Sequence, residues 1–339
     1  MEDSISRIRD RIKMYSVEER DNQFDVDQFV TVPKLDSRAI NSLIESLPGI
    51  LAGKDFRELV HSISYAYRQS RSVIVFIGGH VIKCGLAPLF IEMMKRKVIT
   101  HTAMNGAAAI HDVEIAMMGH TSEWVKDLLP EGKWGMWKET GKVIHEAIAG
   151  AYQSILLDDI QHSGMGYGLS CAAWRLNSEY DKYSILAQMW YQSEPMSESV
   201  PLTVHVSIGC DVIHQHPQAN FEHIGATSGR DFYKLVEAIS GLNDGGVFIN
   251  FGSSAVGPEV FSKALNLARN TGNTVKNFTT ANFDVVELPE RLSRSKKNVI
   301  TRPHIGSEYG KGYAITGHHE IMIPLLFQAV MADIWGEKD

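Results

Sequence analysis

The chain has 339 residues, 44% apolar and 22% charged, with 33 basic against 40 acidic side chains and a formal net charge of −7. That apolar content supports a buried core and excludes disorder as the main state, and the acidic balance argues against nucleic acid as the main partner. Cys84, Cys171 and Cys210, without a Cys-x-x-Cys pair, exclude a disulfide framework and a thiolate zinc knuckle; no uncharged apolar run reaches the ~18 residues of a membrane span, and the charged N-terminus carries no signal-peptide pattern, so a reducing cytoplasm is the expected setting.

Residues 1–35 are charged and lack periodicity, and are expected to form an N-terminal arm. Residues 36–339 are expected to form a single domain. Ile40, Leu43, Ile44 and Leu47 recur at helical spacing, and Phe56, Leu59, Val60 and Ile63 mark a second helix over 55–67. The apolar run at 72–77 predicts a strand buried on both faces. A helix over 82–95, a strand over 98–102 and a helix over 107–118 follow. Residues 128–141 carry Gly and Trp and are expected to form a loop or lid. Helices are then expected at 142–157 and 183–191, and a strand at 202–208. The alternation continues with a helix at 231–240, a strand at 246–250, a helix at 260–269, strands at 274–279 and 298–301, and a closing helix at 319–334. This predicts an α/β fold, Rossmann-like and doubly wound, with a mostly parallel sheet and helices on both faces.

In such sheets ligands bind beyond the carboxyl ends of the strands. Four predicted strand ends carry small or polar residues: Gly78-Gly79-His80 running on to Lys83, Thr102-Ala103-Met104-Asn105-Gly106, Gly252-Ser253-Ser254, and Thr279-Thr280-Ala281-Asn282-Phe283-Asp284. Glycine lets backbone approach a ligand, and the helix that follows offers free N–H groups to an anion. The same residues also suit a plain strand-to-helix turn. Neither a Gly-x-Gly-x-x-Gly fingerprint nor a Walker motif is present.

The chain has 14 histidines. His205, Asp211, His214 and His216 lie in one short region, which reads as an extended loop that points His214 and His216 the same way. They are candidate metal ligands or proton-transfer groups, or a polar loop bonded to backbone. His111 and Glu114, at i and i+3, are an acid–base pair or a plain surface pair. Gly317-His318-His319-Glu320 opens the last helix, where the dipole keeps an imidazole neutral, to cap the helix or meet a ligand. Met93, Met94, Met117 and Met118 read as core, and Trp124, Trp134 and Trp137 as packing.

The order of these strand-end elements resembles the deoxyhypusine synthase family, and more closely its bacterial deoxyhypusine synthase-like branch, over roughly residues 70–330. The elements that carry it are Thr102-Ala103-Met104-Asn105-Gly106 with Glu114, and Gly252-Ser253-Ser254-Ala255-Val256 leading to Asn266-Leu267-Ala268-Arg269-Asn270. Thr279-Thr280-Ala281-Asn282-Phe283-Asp284 and Ile323-Pro324-Leu325-Leu326 complete the set. The resemblance implies a Rossmann-like fold, NAD as cofactor and a homotetramer with sites between subunits. By position it places NAD contacts on His80, Lys83, Thr102, Ala103, Gly106, Gly252, Ser253, Thr280, Ala281 and Asp284, with His318 near the cofactor. The family's Trp-Gly-Lys lysine is absent: Trp134-Gly135 is followed by Met136, and Trp335-Gly336 by Glu337. Lys311, in Gly310-Lys311-Gly312, is the nearest substitute. Asp284 is followed by Val285-Val286-Glu287-Leu288 rather than by the carboxylates that hold a polyamine.

The expected activity is NAD-linked transferase or oxidoreductase chemistry on a small amine or alcohol substrate. His214, His216 or His304 would take the proton, and Lys311 or Arg302 would hold an anionic or carbonyl group. Two other readings stand beside it. One is a metal-dependent hydrolase or lyase with a metal ion at His205, Asp211, His214 and His216. The other is a non-catalytic scaffold that binds a nucleotide or a partner chain.

Overall fold

The computed structural model describes residues 7–160, 162–189, 199–287 and 310–336. In chain order the main elements begin with β1 (Asn22–Asp25), α1 (Ser37–Ser46), α2 (Leu51–Arg68), β2 (Val73–Ile77), α3 (Gly79–Lys83) and α4 (Ala87–Lys95). β3 (His101–Asn105), α5 (Gly106–Met118), β4 (His120–Glu123), α6 (Lys138–Leu156), α7 (Met165–Leu176) and β5 (Leu202–His205) follow. The chain continues through α8 (Phe221–Ser240), β6 (Val247–Phe251), α9 (Val256–Asn270), β7 (Thr279–Asp284), β8 (Lys311–Thr316) and α10 (His319–Trp335).

Six strands form one sheet in the order β5-β3-β2-β6-β7-β8, and every pairing in it is parallel. The chain builds outward from β2 through β3 to β5, returns to β6 beside β2, and builds outward again to β8. This is a doubly wound sheet whose order reverses between β2 and β6. The fully buried run Val73–Ile77 explains why β2 sits at that centre. Its Ile74 and Phe76 pack with Phe248, Leu235, Ile239 and Phe261, which places α8 and α9 on one face. Its Val73, Val75 and Ile77 face the other way and join Ile63, Phe90 and Phe327 from α2, α4 and α10. Each such apolar side chain contributes about 1.5–3 kcal/mol on burial.

Two strands start later than the apolar pattern predicts. β3 covers 101–105 rather than 98–102, and β7 covers 279–284 rather than 274–279. In both, polar residues such as Thr102, Thr280 and Asn282 are buried inside the sheet, where alternation of apolar residues cannot mark them. The predicted helix over 82–95 is broken between α3 and α4. Gly85 takes a φ of +71°, and a Cβ there would come within 2.5 Å of Phe29. α7 starts in a glycine-bearing stretch with low helix propensity. Its early amide is held by tertiary structure, because Gly166 N donates to the buried carboxylate of Asp231 at 2.7 Å. α8 begins at Phe221, ahead of the expected 231, on an Asn220 N-cap whose side chain accepts from Glu222 N and His223 N. β8 has only Tyr313 and Ile315 buried; the strand expected at 298–301 lies outside the described residues.

Within residues 7–35, β1 pairs antiparallel with β4, Val26 and Phe29 join the main core, and Arg20 is 7% exposed. No helix among the described residues is long and apolar enough to cross a membrane.

Candidate functional site

Beyond the carboxyl ends of β2 and β3 lies a cavity of 260 Å³, lined in part by Arg20, Lys83, His111, Glu114, Asp211 and His216. Strand-to-helix turns bring these groups together: α3 carries Lys83, α5 carries His111 and Glu114, and the segment after β5 carries Asp211 and His216.

Glu114 is the best-satisfied group in the cavity wall. It is 2% exposed. Arg20 donates to both its oxygens, Nη1 to Oε1 at 2.6 Å and Nη2 to Oε2 at 3.0 Å. Thr121 donates to Oε2 at 2.5 Å and Thr140 to Oε1 at 3.0 Å. Burial opposes ionisation, but the Arg20 charge and these donors outweigh it and hold the carboxyl below its usual range. The Thr121 proton is committed to Glu114, so Thr121 Oγ1 accepts from His111 Nδ1 at 2.9 Å. That assigns the proton of the neutral ring to Nδ1 and leaves the lone pair on Nε2. Burial pushes His111 down to about 4 against the pull of Glu114, so the ring is neutral near pH 7.

Lys83 has no hydrogen bond or ion pair among the described residues; burial lowers its pKa, opposed by the charges of Cys84, Glu123 and Glu114. Glu123 accepts from Gly135 N at 3.0 Å and from Trp137 Nε1 at 2.7 Å, and burial raises its pKa. The Arg20 guanidinium lies 5.4 Å from the Trp137 ring centroid, a cation–π contact. Asp211 accepts from Ser207 N at 2.9 Å, and a Cβ on Gly106 would meet its carboxyl group at 2.5 Å. Glycine at the first residue of α5 therefore gives this carboxylate its place.

The crevice between β2 and β6 carries a second set of polar groups. A Cβ on Gly78 would fall 2.2 Å from Gly252 O, so the absence of that atom lets the two strand ends meet. Gly252 has a φ of +64°, and a Cβ there would meet His319 Nε2 at 2.7 Å. His319 is 1% exposed, and its Nδ1 has no hydrogen-bond partner among the described residues. Ser253 Oγ accepts from Gly257 N at 2.9 Å in the first turn of α9. Asp284 closes β7, and its Oδ1 accepts from Val286 N at 3.3 Å. His80 and His318 are exposed at the same rim.

The structure redistributes the residues expected from sequence. His80, Lys83, Gly106, Gly252, Ser253, Asp284 and His318 lie at or just beyond the carboxyl ends of strands. Thr102, Ala103, Thr280 and Ala281 do not. They are buried within β3 and β7, because both strands run further than the apolar pattern indicates. Lys311 opens β8 beside Thr279, at the amino edge of the sheet, and its amine is 3.6 Å from Glu58; it is on the wrong side of the sheet for the cavity. His304 and Arg302 lie outside the described residues.

The histidine-rich segment is a 3-10 turn over Val212–Gln215, not an extended loop. His214 and His216 therefore diverge. His214 Nδ1 donates to Asp211 O at 2.9 Å, and its ring stacks on Phe221. His216 Nε2 donates to Gly135 O at 2.7 Å, and its Nδ1 is turned toward Gly141. His205 is buried against Phe76, 3.0 Å from Thr203 Oγ1. The expected metal set His205, Asp211, His214 and His216 is not assembled: among the described residues, the group with three ligand atoms within 4.8 Å of one another is His80, Cys84 and Glu320.

Sequence reading missed Arg20, Thr121, Thr140 and Glu123. Arg20 is 94 residues from Glu114 in a segment without periodicity, and no local pattern pairs the two. Of the methionines expected in the core, Met93 and Met94 are buried and Met117 and Met118 are half-buried, while Trp124, expected to pack, is exposed. Trp137 packs in the wall of the cavity, with its indole N–H on Glu123.

No family model matches the sequence, and no curated protein matches it. Several solved structures are similar to this chain in fold. A protein of Entamoeba histolytica assigned as a deoxyhypusine synthase superposes with a TM-score of 0.48 and 10% identity, covering 95% of this chain and 97% of its own. ArgZ, an arginine dihydrolase from the ornithine–ammonia cycle in Cyanobacteria, gives 0.44 and 14% over 83% of this chain and 33% of its own. AgrE, in a ternary complex with ornithine and NAD+, gives 0.45 and 12% over 89% of this chain and 34% of its own. The chain thus spans about a third of the length of ArgZ and AgrE. The likeness is one of overall α/β architecture.

Proposed function

We propose that the protein is an NAD-linked enzyme on a deoxyhypusine synthase-like scaffold, acting on a small amine or alcohol held in the 260 Å³ cavity. The observation that carries this reading is the position of the cavity. It lies beyond the carboxyl ends of β2 and β3, next to the point where the strand order reverses, where doubly wound sheets bind their ligands. The rim fits a dinucleotide: Gly252 presents backbone without a Cβ, Asp284 and His318 supply polar groups, and His319 keeps a buried nitrogen without a partner among the described residues. When bound, the nicotinamide would supply hydride exchange.

The remaining chemistry belongs to the chain. His111 takes the substrate proton at Nε2. Thr121 holds the ring through Nδ1, and ionised Glu114 stabilises the imidazolium as it forms, as the buried carboxylate does in a catalytic triad. Lys83 holds an anionic or carbonyl group. Arg20 and Trp137 close the wall and limit water. We assign the base to His111 because its donor nitrogen is backed, through Thr121, by the Glu114 carboxylate, whereas His214 and His216 donate to the backbone carbonyls Asp211 O and Gly135 O. With no lysine in the family's position and Lys311 at the opposite edge, polyamine transfer to a protein is not part of this reading.

Thermal unfolding of dialysed protein, shown to be free of retained NAD after denaturation, tests the proposal. NAD at ~100 times its dissociation constant should add about 2.7 kcal/mol. Amine and alcohol donors should then give NADH absorbance that His111→Gln and Lys83→Met abolish without removing the NAD shift. Absence of the shift overturns the reading.

A further inference from the structure

We propose that His80, Cys84 and Glu320 form a binding site for one borderline-soft divalent cation, zinc foremost, at the rim of the crevice between β2 and β6. His80 and Cys84 are one helical turn apart, on α3 and its C-cap, a spacing that stacks their side chains. Glu320 enters from the first turn of α10, 236 residues further along the chain. The three ligand atoms lie within 4.8 Å of one another. Cys84 Sγ is 3.5 Å from His80 Nε2 and 3.9 Å from Glu320 Oε2. Zinc bonds of ~2.3 Å to sulfur and ~2.0–2.1 Å to nitrogen or oxygen, at a tetrahedral angle, separate donor atoms by about 3.5 Å. The nitrogen–sulfur separation fits as it stands; the sulfur–oxygen separation is a few tenths of an ångström long, and the exposed Glu320 side chain can swing its carboxylate in toward the other two ligands, all within 4.8 Å of one another.

A thiol has one proton and can donate to His80 or to Glu320, but not to both at once. A cation satisfies all three donors together. Thiolate and carboxylate then balance a divalent charge, which suits zinc better than a hard cation that prefers all-oxygen ligands. His318 Nδ1 lies 3.5 Å from the other carboxylate oxygen, Oε1, where it can orient the ligand. Behind the group, the His319 ring is 5.9 Å from that of His80, and its Nδ1 is buried without a partner among the described residues. Three protein ligands leave a fourth position for water or a substrate atom. This inference does not rest on the cofactor reading; with the metal bound, His80 is engaged, and cofactor contacts fall to Gly252, Ser253, Asp284 and His318.

The test uses the full chain, stripped of metal with chelator and dialysed. Cobalt(II) should bind one per chain and give a near-ultraviolet thiolate charge-transfer band. Cys84→Ser should lose that band, while Cys171→Ser and Cys210→Ser, at the other two free thiols, should keep it. In competition with a chromophoric chelator, His80→Ala and Glu320→Gln should each weaken zinc binding at least about tenfold. Thermal midpoints of the metal-free variants check that they fold. Should a variant fail to fold, wild-type protein still decides: zinc should protect Cys84 from a thiol reagent, read by peptide mass. Absence of stoichiometric binding, a band that survives Cys84→Ser, or no protection of Cys84 overturns the proposal. The NAD-induced shift is measured separately and is untouched by failure here.

Discussion

Arg20→Met removes the charge that faces Glu114 while keeping most of the side-chain volume. In the native protein the two side chains are each 2% exposed and joined by the 2.6 Å and 3.0 Å bonds from Arg20. Breaking one partner of a buried pair costs about 3–5 kcal/mol, because the other charge stays buried. An exposed pair would cost about 0–1 kcal/mol. For a chain of this length, at roughly 2 °C per kcal/mol, the thermal midpoint should fall by about 6–10 °C at pH 7. The pH dependence checks the cause. Wild-type Glu114 sits below its ordinary value of 4.5, so its contribution is present above that value and is lost as pH falls through the folded pKa. In Arg20→Met, burial is left as the dominant influence and raises the pKa, so the penalty grows as pH rises. The gap between wild type and variant should therefore be smaller at pH 4.5 than at pH 7. Arg20→Met combined with Glu114→Gln should recover part of the loss, since neither charge is then left alone. A cost under about 1 kcal/mol at pH 7, or a gap that does not change with pH, would refute the account.

Acid should destabilise the protein well above the carboxylate range. His101 and His205 are pushed by burial down to about 3, against ~6.5 unfolded, so the unfolded chain binds the extra protons and stability falls as pH drops from 6.5. Each contributes up to about 2 kcal/mol of loss by pH 5. Asp112 and Asp231, raised by burial to about 6 and about 7, act in the opposite sense and regain about 3–4 kcal/mol over the same range, which offsets those two histidines; His111 and His145, pushed by burial down to about 4, add a further loss of similar size, so a midpoint that stays flat from pH 7 to 5 would contradict the histidine term. Gly78→Ala should cost more than Gly252→Ala, because its Cβ meets backbone at 2.2 Å while the other meets a histidine side chain. Overpacking of this kind typically costs about 1–3 kcal/mol, and wild-type urea midpoints for both variants would show that the strand ends do not close as described. Lys311→Met should leave both the NAD shift and turnover unchanged, since Lys311 stands at the amino edge of the sheet; loss of either would return that lysine to the site.

The apolar run Val73–Ile77 sets the centre of the sheet from sequence alone, because a strand covered on both faces needs no alternation. The 3.6-residue recurrence of Phe56, Leu59, Val60 and Ile63 likewise marks α2, and the glycines after β2 and β6 mark the turns at the crevice. Where polar side chains enter the core, the sequence loses its signal. Thr102, Thr280 and Asn282 are buried inside strands, so β3 and β7 run beyond their predicted ends, and four expected cofactor contacts fall inside the sheet. The 3-10 turn over Val212–Gln215 sends His214 and His216 to different partners, which an extended reading of the loop could not anticipate. The pairings Arg20 with Glu114 and Cys84 with Glu320 belong to tertiary structure alone. They join residues 94 and 236 positions apart, and their energy comes from desolvation and hydrogen bonding that exist only after the core has closed around them.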